Sequence, residues 1–509
     1  MKSLFLFTSW WVPALAHMSL FTLPESTYPG GKCLDGTQAG YYFEEGKQTS
    51  LVVIHLEGGG YCNTESYCEM KIDSALGSTN LWSSTKEQDR EDSPFLDRNC
   101  NNNADFCEAN HIFVPYCTGD THTGTRHENL NESFGMYFDG KLNFQAIVKK
   151  LIAEHGMGDA ENVLLTGSSA GGIGAYFNVD WLAEQVPNAN VKAVPLAGWF
   201  FPRSLEEQDS PEYLPPDDYP HFADGIHGND MIDMANTTSR TLWQVEADPI
   251  CAQNEIEHPE SCAIIHVMYK YIRSPIFAVQ NQFDGEQIFF EFKAPIVVTG
   301  FDEINMVEDY LIMYGGASRQ SLEQIIDGNS LSPKPHRDGL FAPSCILHEM
   351  DPEFLIDDMD YVTLVHDWFF QINQYESQHQ IIETCSKGDE SLPCNKHTYP
   401  LSCHYALNLN PGTPVSPAQG TRDFSENTYS GEDDLPLVVE DEEEEEESLL
   451  AEEEEEDSSG FENVVITIFG FAIGAMLFVI MKRKIRTRKA NNHDLAEVRE
   501  SFSMDKEII

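Results

Sequence analysis

The residue pattern best suited to chemistry is the segment Gly167-Ser168-Ser169-Ala170-Gly171-Gly172. It matches G-x-S-x-G, in which the central serine projects from a sharp turn between a strand and a helix, and the flanking glycines leave room for the strained backbone. The pattern therefore predicts Ser169 as the nucleophile of an acyl transfer, whereas Ser168 lacks this glycine spacing. Since a helix that begins here aims its N–H groups at the reacting oxygen, we expect the N–H of Ala170 to be an oxyanion donor.

A second glycine-rich segment follows the best strand pattern of the N-terminal third. The apolar run at residues 51–56 leads directly into Glu57-Gly58-Gly59-Gly60-Tyr61-Cys62. A plain turn explains one glycine, but not three in succession at the end of a strand. Consecutive glycines let a backbone N–H approach a developing oxyanion closely, so we expect this loop to form the second side of the oxyanion hole.

The acid and the base of an α/β-hydrolase triad follow the nucleophile in the order Ser, Asp or Glu, His. Asp284 lies just beyond the apolar run 275–280, where the carboxyl edge of a sheet presents catalytic groups, and Asp302, after the run 295–299, is its rival. The candidates for the base are the six histidines between Asp284 and the C-terminal apolar segment: His336, His348, His366, His379, His397 and His404. The order of residues alone does not choose among them.

Regular elements must position these groups. Residues 162–166 form a short apolar run typical of a buried parallel strand, and residues 173–183 can form a helix directly after the serine. Apolar residues recur at helical spacing between 144 and 152, and Gly156 is a suitable helix terminator. The segment from 17 to 410 is long for one domain but suits an α/β enzyme with inserted loops.

The two ends of the chain predict export and membrane anchoring. Residues 1–16 combine a basic start, an apolar core and Ala-Leu-Ala, which is typical of a secretory signal peptide. Residues 464–481 carry no charge, and six basic side chains follow at 482–489. We therefore predict a transmembrane helix at 461–481 and a cytosolic tail at 482–509, so that the topology is type I, with the catalytic part extracellular or lumenal.

The formal net charge of −53 is concentrated before the predicted span. Residues 432–457 contain 17 acidic side chains and no basic one, which predicts a self-repelling, disordered stalk within 411–460. The remainder of the chain is still strongly acidic. This charge argues against nucleic acid as a partner, because such binding depends on cations that neutralise phosphates.

The cysteines agree with an exported domain. All twelve precede the predicted span, and an even number confined to that part fits disulfide bonds in an oxidising compartment. There is no C-x-x-C pair to indicate zinc, and we predict no metal site. Sequons at Asn131 and Asn236 are compatible with a glycoprotein. The sequence does not indicate an oligomeric state.

Several segments together resemble the pectinacetylesterase family, which includes plant polysaccharide deacetylases and an animal protein deacylase. In chain order they are Leu56–Thr64, Val114–Asp120, Gly167–Gly172, Asn178–Asp180, Phe283–Asp284 and Phe341–Glu349. The resemblance implies an α/β-hydrolase-like fold, with a mostly parallel central sheet flanked by helices and stabilised by disulfides. It also implies a cofactor-free and metal-free triad of Ser169, Asp284 and His348. The oxyanion donors that it implies are Gly59, Gly60 and Ala170.

Three functions are compatible with these features. The first is removal of O-acetyl groups from an extracellular polysaccharide, with an acylated glycan as substrate. The second is removal of a longer fatty acyl ester from a secreted protein, which needs a deep apolar pocket; the aromatic residues available to line it are Trp199, Phe200, Phe201 and Trp243. The third is a non-catalytic binding ectodomain, against which the intact triad and both glycine-rich loops argue.

Overall fold

The computed structural model describes residues 17–87, 93–201, 234–288, 301–328, 334, 337–371, 379–383, 405–408 and 416–419. Only the backbone is described at 87, 234–236, 301–313, 405–408 and 416–419. All of these residues belong to the first of two units into which the chain divides, Met1–Phe424. The predicted signal peptide, transmembrane helix and cytosolic tail lie outside the described residues, as does the predicted stalk except for residues 416–419.

The strands are β1 (His17–Thr22), β2 (Gly40–Glu44), β3 (Gln48–Leu56), β4 (Thr85–Glu87), β5 (Ala109–Val114), β6 (Asn162–Ser168), β7 (Asn190–Leu196), β8 (Phe277–Val279), β9 (Gly339–Ala342), β10 (Leu355–Ile356), β11 (Met359–Asp360), β12 (Gln380–Ile382), β13 (Tyr405–Asn408) and β14 (Ser416–Gln419). Ten of them form one sheet in the order β12-β9-β8-β7-β6-β3-β5-β2-β1-β4. The seven strands from β12 to β5 are parallel, and the edge formed by β2, β1 and β4 is antiparallel. The mostly parallel sheet expected from the sequence is confirmed.

The α-helices are α1 (Glu65–Ile72), α2 (Gly140–Glu154), α3 (Ala170–Gln185), α4 (Pro249–Asn254), α5 (Ile265–Met268), α6 (Phe301–Ile326) and α7 (Tyr361–Phe370). Short 3₁₀ turns lie at Thr79–Leu81, Pro94–Leu96, Leu130–Glu132, Met157–Asp159, Pro259–Ala263 and Tyr269–Tyr271, and a π-helical segment spans Met234–Leu242. Among the helices in the described part of the chain, none is long and apolar enough to cross a membrane.

The central strands are buried on both faces, which explains their continuous apolar runs. In β3, Val52 and Ile54 belong to a core shared with α2 and α3, whereas Leu51 and Val53 belong to a second core shared with α7. Alternate side chains of one strand therefore serve opposite faces of the sheet. The result is a three-layer arrangement in which helices flank the sheet on both sides.

Four disulfides lie within the described residues: Cys33–Cys117, Cys62–Cys68, Cys100–Cys107 and Cys251–Cys262. Three of the four join residues of the N-terminal 117 positions. Cys345 is buried, and the remaining cysteines, at 385, 394 and 403, lie outside the described residues. Disulfides expected from the cysteine count are therefore present among the described residues, and three of them lie in the part of the domain that carries the first glycine-rich loop.

Candidate active site

Ser169 occupies the sharp turn between β6 and α3. Its backbone has φ 55° and ψ −120°, a conformation that costs free energy in any residue other than glycine. Two hydrogen bonds hold it there: the N–H of Ser169 donates to the carbonyl of Leu196 at 2.9 Å, and its own carbonyl accepts from the N–H of Ile173 at 3.0 Å. The strained turn lifts the serine hydroxyl out of the sheet edge, as the G-x-S-x-G pattern predicts.

The glycines around the serine are required by close backbone contacts. A Cβ at Gly171 would collide with the carbonyl oxygen of Leu56 at the end of β3. A Cβ at Gly58 would lie 2.5 Å from the carbonyl oxygen of Ser168 and 3.1 Å from the Cβ of Ser169. The first glycine-rich loop therefore lies directly against the serine turn, which places both glycine-rich segments at one site.

His348 lies between Ser169 and Asp284. Its Nε2 is 2.7 Å from the Ser169 Oγ, and its Nδ1 is 2.9 and 3.1 Å from the two carboxylate oxygens of Asp284. With Nδ1–H donating to the carboxylate, Nε2 is the acceptor for the serine hydroxyl. The structure thus brings together the three side chains that the family resemblance implied.

The Asp284 carboxylate is completely buried and well supplied with donors. Besides His348, it accepts from the Gln280 side-chain amide at 2.7 Å and from the backbone N–H groups of Glu286 and Gln287 at 2.9 and 3.2 Å. Gln280 is itself fixed, because its side-chain oxygen accepts from the N–H of Trp199 at 2.9 Å. Four donors hold this buried carboxylate in a fixed orientation.

The electrostatic surroundings stabilise a positive charge on the His348 imidazole. Burial by itself lowers the pKa of this group, but the charge of Asp284, its hydrogen bond and the nearby carboxylates of Glu286 and Glu349 outweigh burial and raise the pKa to about 9. The site therefore stabilises an imidazolium, the form that His348 would take after it accepts a proton from Ser169.

The loop after β3 is shaped by two glycines and anchored at both ends. Gly59 and Gly60 have φ of 147° and 66°. On one side, the Glu57 carbonyl accepts from His122 Nε2 at 2.9 Å, and on the other, the N–H of Cys62 donates to the Gly119 carbonyl at 2.9 Å. These anchors hold the loop beside the start of α3, where the N–H of Ala170 begins the helix.

A narrow, mainly apolar cavity lies on one side of the serine turn, with a volume of about 20 Å³. Its lining is Tyr61, Thr121, Thr123, Ile173, Phe177, Phe200, Ser239, Trp243, Val245, Ala263 and Ile265. Three features tie the cavity to the site: Tyr61 follows Gly60, Ile173 is one helical turn beyond Ser169, and the Phe200 ring stands edge-on to the His348 ring at 6.2 Å. The cavity is about large enough for one water molecule or one methyl group.

A polar cluster lies near the same loop. Lys71 on α1 donates from Nζ to the Gly59 carbonyl at 2.5 Å, and its ammonium lies 5.3 Å from the centroid of the Tyr67 ring. Burial raises the pKa of Glu286, with Asp284 adding to this shift while His348 and Lys71 oppose it. The surroundings of Ser169 therefore include two surfaces: the apolar wall, formed by the lining of the cavity, and the charged wall, formed by Asp284, His348, Glu286 and Lys71.

The competing candidates are placed elsewhere. Asp302 lies in the first turn of α6, and the expected strand at 295–299 is outside the described residues. His366 pairs with Asp105, and His379 is buried just before β12. His336, His397 and His404 are outside the described residues. Among the described candidates, only His348 lies against Ser169.

Sequence reasoning missed three residues of the site: Gln280, Lys71 and Glu286. Gln280 ends an apolar strand with a polar side chain, and Glu286 stands two residues beyond Asp284, so both carried a positional signal. Lys71 gave no such signal in the sequence, because a lysine on a short helix is normally solvent-exposed.

The parallel sheet, the strained serine turn and the Ser169–His348–Asp284 geometry define the α/β-hydrolase-like class of protein. The family model for pectinacetylesterase matches residues 13–398. The chain therefore belongs to the pectinacetylesterase family.

Relatives from animals and plants both match. A palmitoleoyl-protein carboxylesterase, notum1 of Xenopus laevis, is 29% identical over 330 residues, covering 62% of this chain and 60% of the relative. Pectin acetylesterase 5 of Arabidopsis thaliana is 29% identical over 262 residues, covering 51% of this chain and 56% of the relative. The chain thus spans less than two thirds of the length of either relative.

A solved structure shares the fold. The Wnt deacylase Notum from Drosophila superimposes with a TM-score of 0.57 at 22% identity, covering 74% of this chain and 99% of that chain. This likeness confirms the α/β-hydrolase-like fold implied by the resemblance, whereas the transmembrane helix stays a prediction of the sequence.

Proposed function

We propose that the protein is a serine carboxylic ester hydrolase that removes O-acetyl groups from an extracellular polysaccharide. Ser169 is the nucleophile, His348 the base and Asp284 the group that orients the imidazole. The observation that carries the catalytic part is the continuous chain of contacts from Ser169 Oγ to His348 Nε2 at 2.7 Å and from His348 Nδ1 to Asp284 at 2.9 Å.

The chemistry follows from these contacts. Ser169 Oγ attacks the carbonyl carbon of the ester while its proton passes to His348 Nε2. The tetrahedral intermediate collapses to an acyl-enzyme, and the leaving alcohol takes the proton from His348. Water then attacks the acyl carbon, passes a proton to His348 and releases the acid as Ser169 recovers its hydrogen.

The negative charge of each tetrahedral intermediate needs fixed donors. Ala170 N–H, at the start of α3, and the N–H groups of Gly59 and Gly60 in the adjoining loop take this role in our proposal. The N-terminal end of a helix also supplies a favourable dipole for an oxyanion. Backbone donors of this kind need no rearrangement when the charge appears.

The size of the acyl group is proposed from the cavity beside Ser169. Its volume of about 20 Å³ accommodates the methyl of an acetyl group and is far too small for a fatty chain. The bulky side chains of Tyr61, Phe200 and Trp243 close it, and Trp243 is fixed by a hydrogen bond from Nε1 to the Cys62 carbonyl at 3.1 Å.

The second candidate is hydrolysis of a longer fatty acyl ester on a secreted protein. The apolar walls of the same cavity favour it, as do the names of the Xenopus relatives, palmitoleoyl-protein carboxylesterases. The two candidates share the triad and differ in the acyl group. A non-catalytic binding ectodomain would leave the strained serine turn and its buried carboxylate unexplained.

We also propose that the enzyme is a glycoprotein with type I membrane topology. The four disulfides of the described residues support an oxidising compartment for the domain. The signal pattern at 1–16, the uncharged run at 464–481 and the basic residues after it support export and anchoring. In sealed microsomes, added protease should remove a C-terminal tag and leave the domain protected; a digested domain with a protected tag would contradict this topology.

The substrate proposal is tested with full-length protein in detergent. We expect p-nitrophenyl acetate to be cleaved faster than the butanoyl and octanoyl esters, and acetate to be released from acetylated polysaccharide. Preference for the octanoyl ester, with no acetate released, would select the second candidate. A folded protein that cleaves no ester would support the binding ectodomain.

A further inference from the structure

Lys71 is a buried cation beside the candidate oxyanion loop. Only 5% of the residue is exposed, which is unusual for lysine, and its Nζ donates to the carbonyl of Gly59 at 2.5 Å. Its ammonium also lies near the rings of Tyr67 and Tyr116, at 5.3 and 5.8 Å from their centroids. Aromatic faces stabilise a desolvated cation, so the side chain is held in one position.

The hydrogen bond from Lys71 acts on the same peptide group that contains the N–H of Gly60. In a planar trans peptide the carbonyl and the following N–H point in opposite directions. Since Lys71 holds the Gly59 carbonyl, it also holds the Gly60 N–H pointing away from Lys71. A charge-assisted bond of this kind is stronger than one between neutral groups.

This peptide needs such a constraint because both of its residues are glycine. Gly59 and Gly60 adopt φ of 147° and 66°, and neither has a Cβ that would hinder rotation of the peptide between them. The disulfide Cys62–Cys68 ties the end of the loop to α1, the helix that carries Lys71. The loop and its lysine are therefore joined covalently as well as by the hydrogen bond.

We propose that Lys71 is a positioning residue that fixes the Gly59–Gly60 peptide so that the Gly60 N–H serves the oxyanion. The inference rests on the proposed hydrolase function and on the donor role of Gly60. Lys71 does not contact the substrate; it acts through the loop. Loss of its cation should thus slow the chemical step and leave substrate binding nearly unchanged.

The pH dependence of the reaction should report the charge of Lys71. Burial lowers its pKa to about 8, and the carboxylate of Glu286 opposes that shift. Tyr67 and Tyr116, the other titratable groups facing the ammonium, have pKa values raised by burial, so both stay neutral as Lys71 loses its proton. The kcat of the wild type should therefore fall relative to that of Lys71→Arg as the pH rises through the pKa of Lys71.

The test compares Lys71→Met and Lys71→Arg with Lys192→Met in the full-length protein. Lys192 is a matched control: it is fully buried, its pKa is also lowered to about 8 by burial, and it donates to the carbonyls of Trp368 and Phe369 at the end of α7, away from the serine. The kcat and KM for p-nitrophenyl acetate are measured per folded molecule, with the folded fraction taken from circular dichroism.

We expect Lys71→Met to lower kcat at least tenfold with KM changed less than about threefold, because removal of an entire oxyanion donor costs about 100-fold or more. Lys71→Arg should retain more activity than Lys71→Met and move the alkaline fall in kcat to higher pH, since arginine stays charged. Lys192→Met should lower thermal stability only.

The inference would be overturned if Lys71→Met and Lys192→Met had equal kcat values and if the kcat of Lys71→Met depended on alkaline pH as that of the wild type does. Lys71 would then be a purely structural residue. Failure of the proposed function itself has a different result: the folded wild type would then cleave no ester, or Ser169→Ala would cleave as fast as the wild type.

Discussion

The two walls beside Ser169 differ in chemistry and in how they are held. In the apolar wall, Ile173, Phe200 and Trp243 close an apolar cavity of about 20 Å³ by packing. In the charged wall, His348 is placed by hydrogen bonds with Asp284 and Ser169, and the carboxylates of Asp284 and Glu286 raise its pKa. The apolar wall can select the acyl group by size, whereas the charged wall can stabilise proton transfer, and the two functions are separable by mutation.

The largest effect on activity should come from Asp284, the most deeply buried residue of the charged wall. Asp284→Asn keeps the size of the side chain but removes the charge that orients and stabilises the His348 imidazolium. We expect kcat/KM for p-nitrophenyl acetate to fall on the order of 10⁴-fold, the loss typical when a triad carboxylate becomes an amide. Near wild-type activity in a folded Asp284→Asn protein would remove Asp284 from the triad.

A smaller effect, on selectivity, should come from the apolar wall. Ile173→Ala enlarges the cavity at a helical position that tolerates alanine well. We expect the ratio of octanoyl to acetyl ester hydrolysis to rise about tenfold, since one methylene in a pocket is worth about 10-fold or more in specificity.

The control for that variant is Ile152→Ala. Ile152 is likewise partly buried against the same core, but it lies near the end of α2 and does not line the cavity. It should leave the ester ratio unchanged. An equal change in both variants would show that general loosening of the core, and not the cavity wall, sets the acyl preference.

The smallest effect on activity should come from Glu286, a partly buried residue of the charged wall. Glu286→Gln removes a carboxylate that raises the pKa of His348 and also that of Lys71. Both pKa values should therefore fall, and the whole pH profile of kcat/KM should move to lower pH. We expect a shift of less than about one pH unit, because a larger cause than Glu286 sets the pKa of each group. A profile that stays in place or moves upward would contradict this electrostatic account.

The same contrast explains what the sequence could predict. Ser169 and the glycine loop were predictable because they sit in local motifs at the ends of apolar strands, and both strands occur where expected. His348 was not chosen by residue order, because its contact with Ser169 spans 179 positions. It was reached only through the family resemblance.

The buried polar partners are the part that local patterns miss. Gln280 and Lys71 look like ordinary polar residues in the sequence, and their roles depend on which groups the folded chain brings to them. The cavity volume depends on how side chains from six separate segments pack, which no local pattern encodes. The stalk, span and tail stay predictions of the sequence.

The central claim, that Ser169 is an activated nucleophile, has a direct test. Full-length protein, Ser169→Ala and Ser168→Ala are treated with a fluorophosphonate probe, and the modified peptide is identified by mass spectrometry alongside ester hydrolysis. The account predicts one adduct, on Ser169, with labelling and hydrolysis abolished in Ser169→Ala and retained in Ser168→Ala. An adduct on another residue, or hydrolysis that survives in Ser169→Ala, would contradict it.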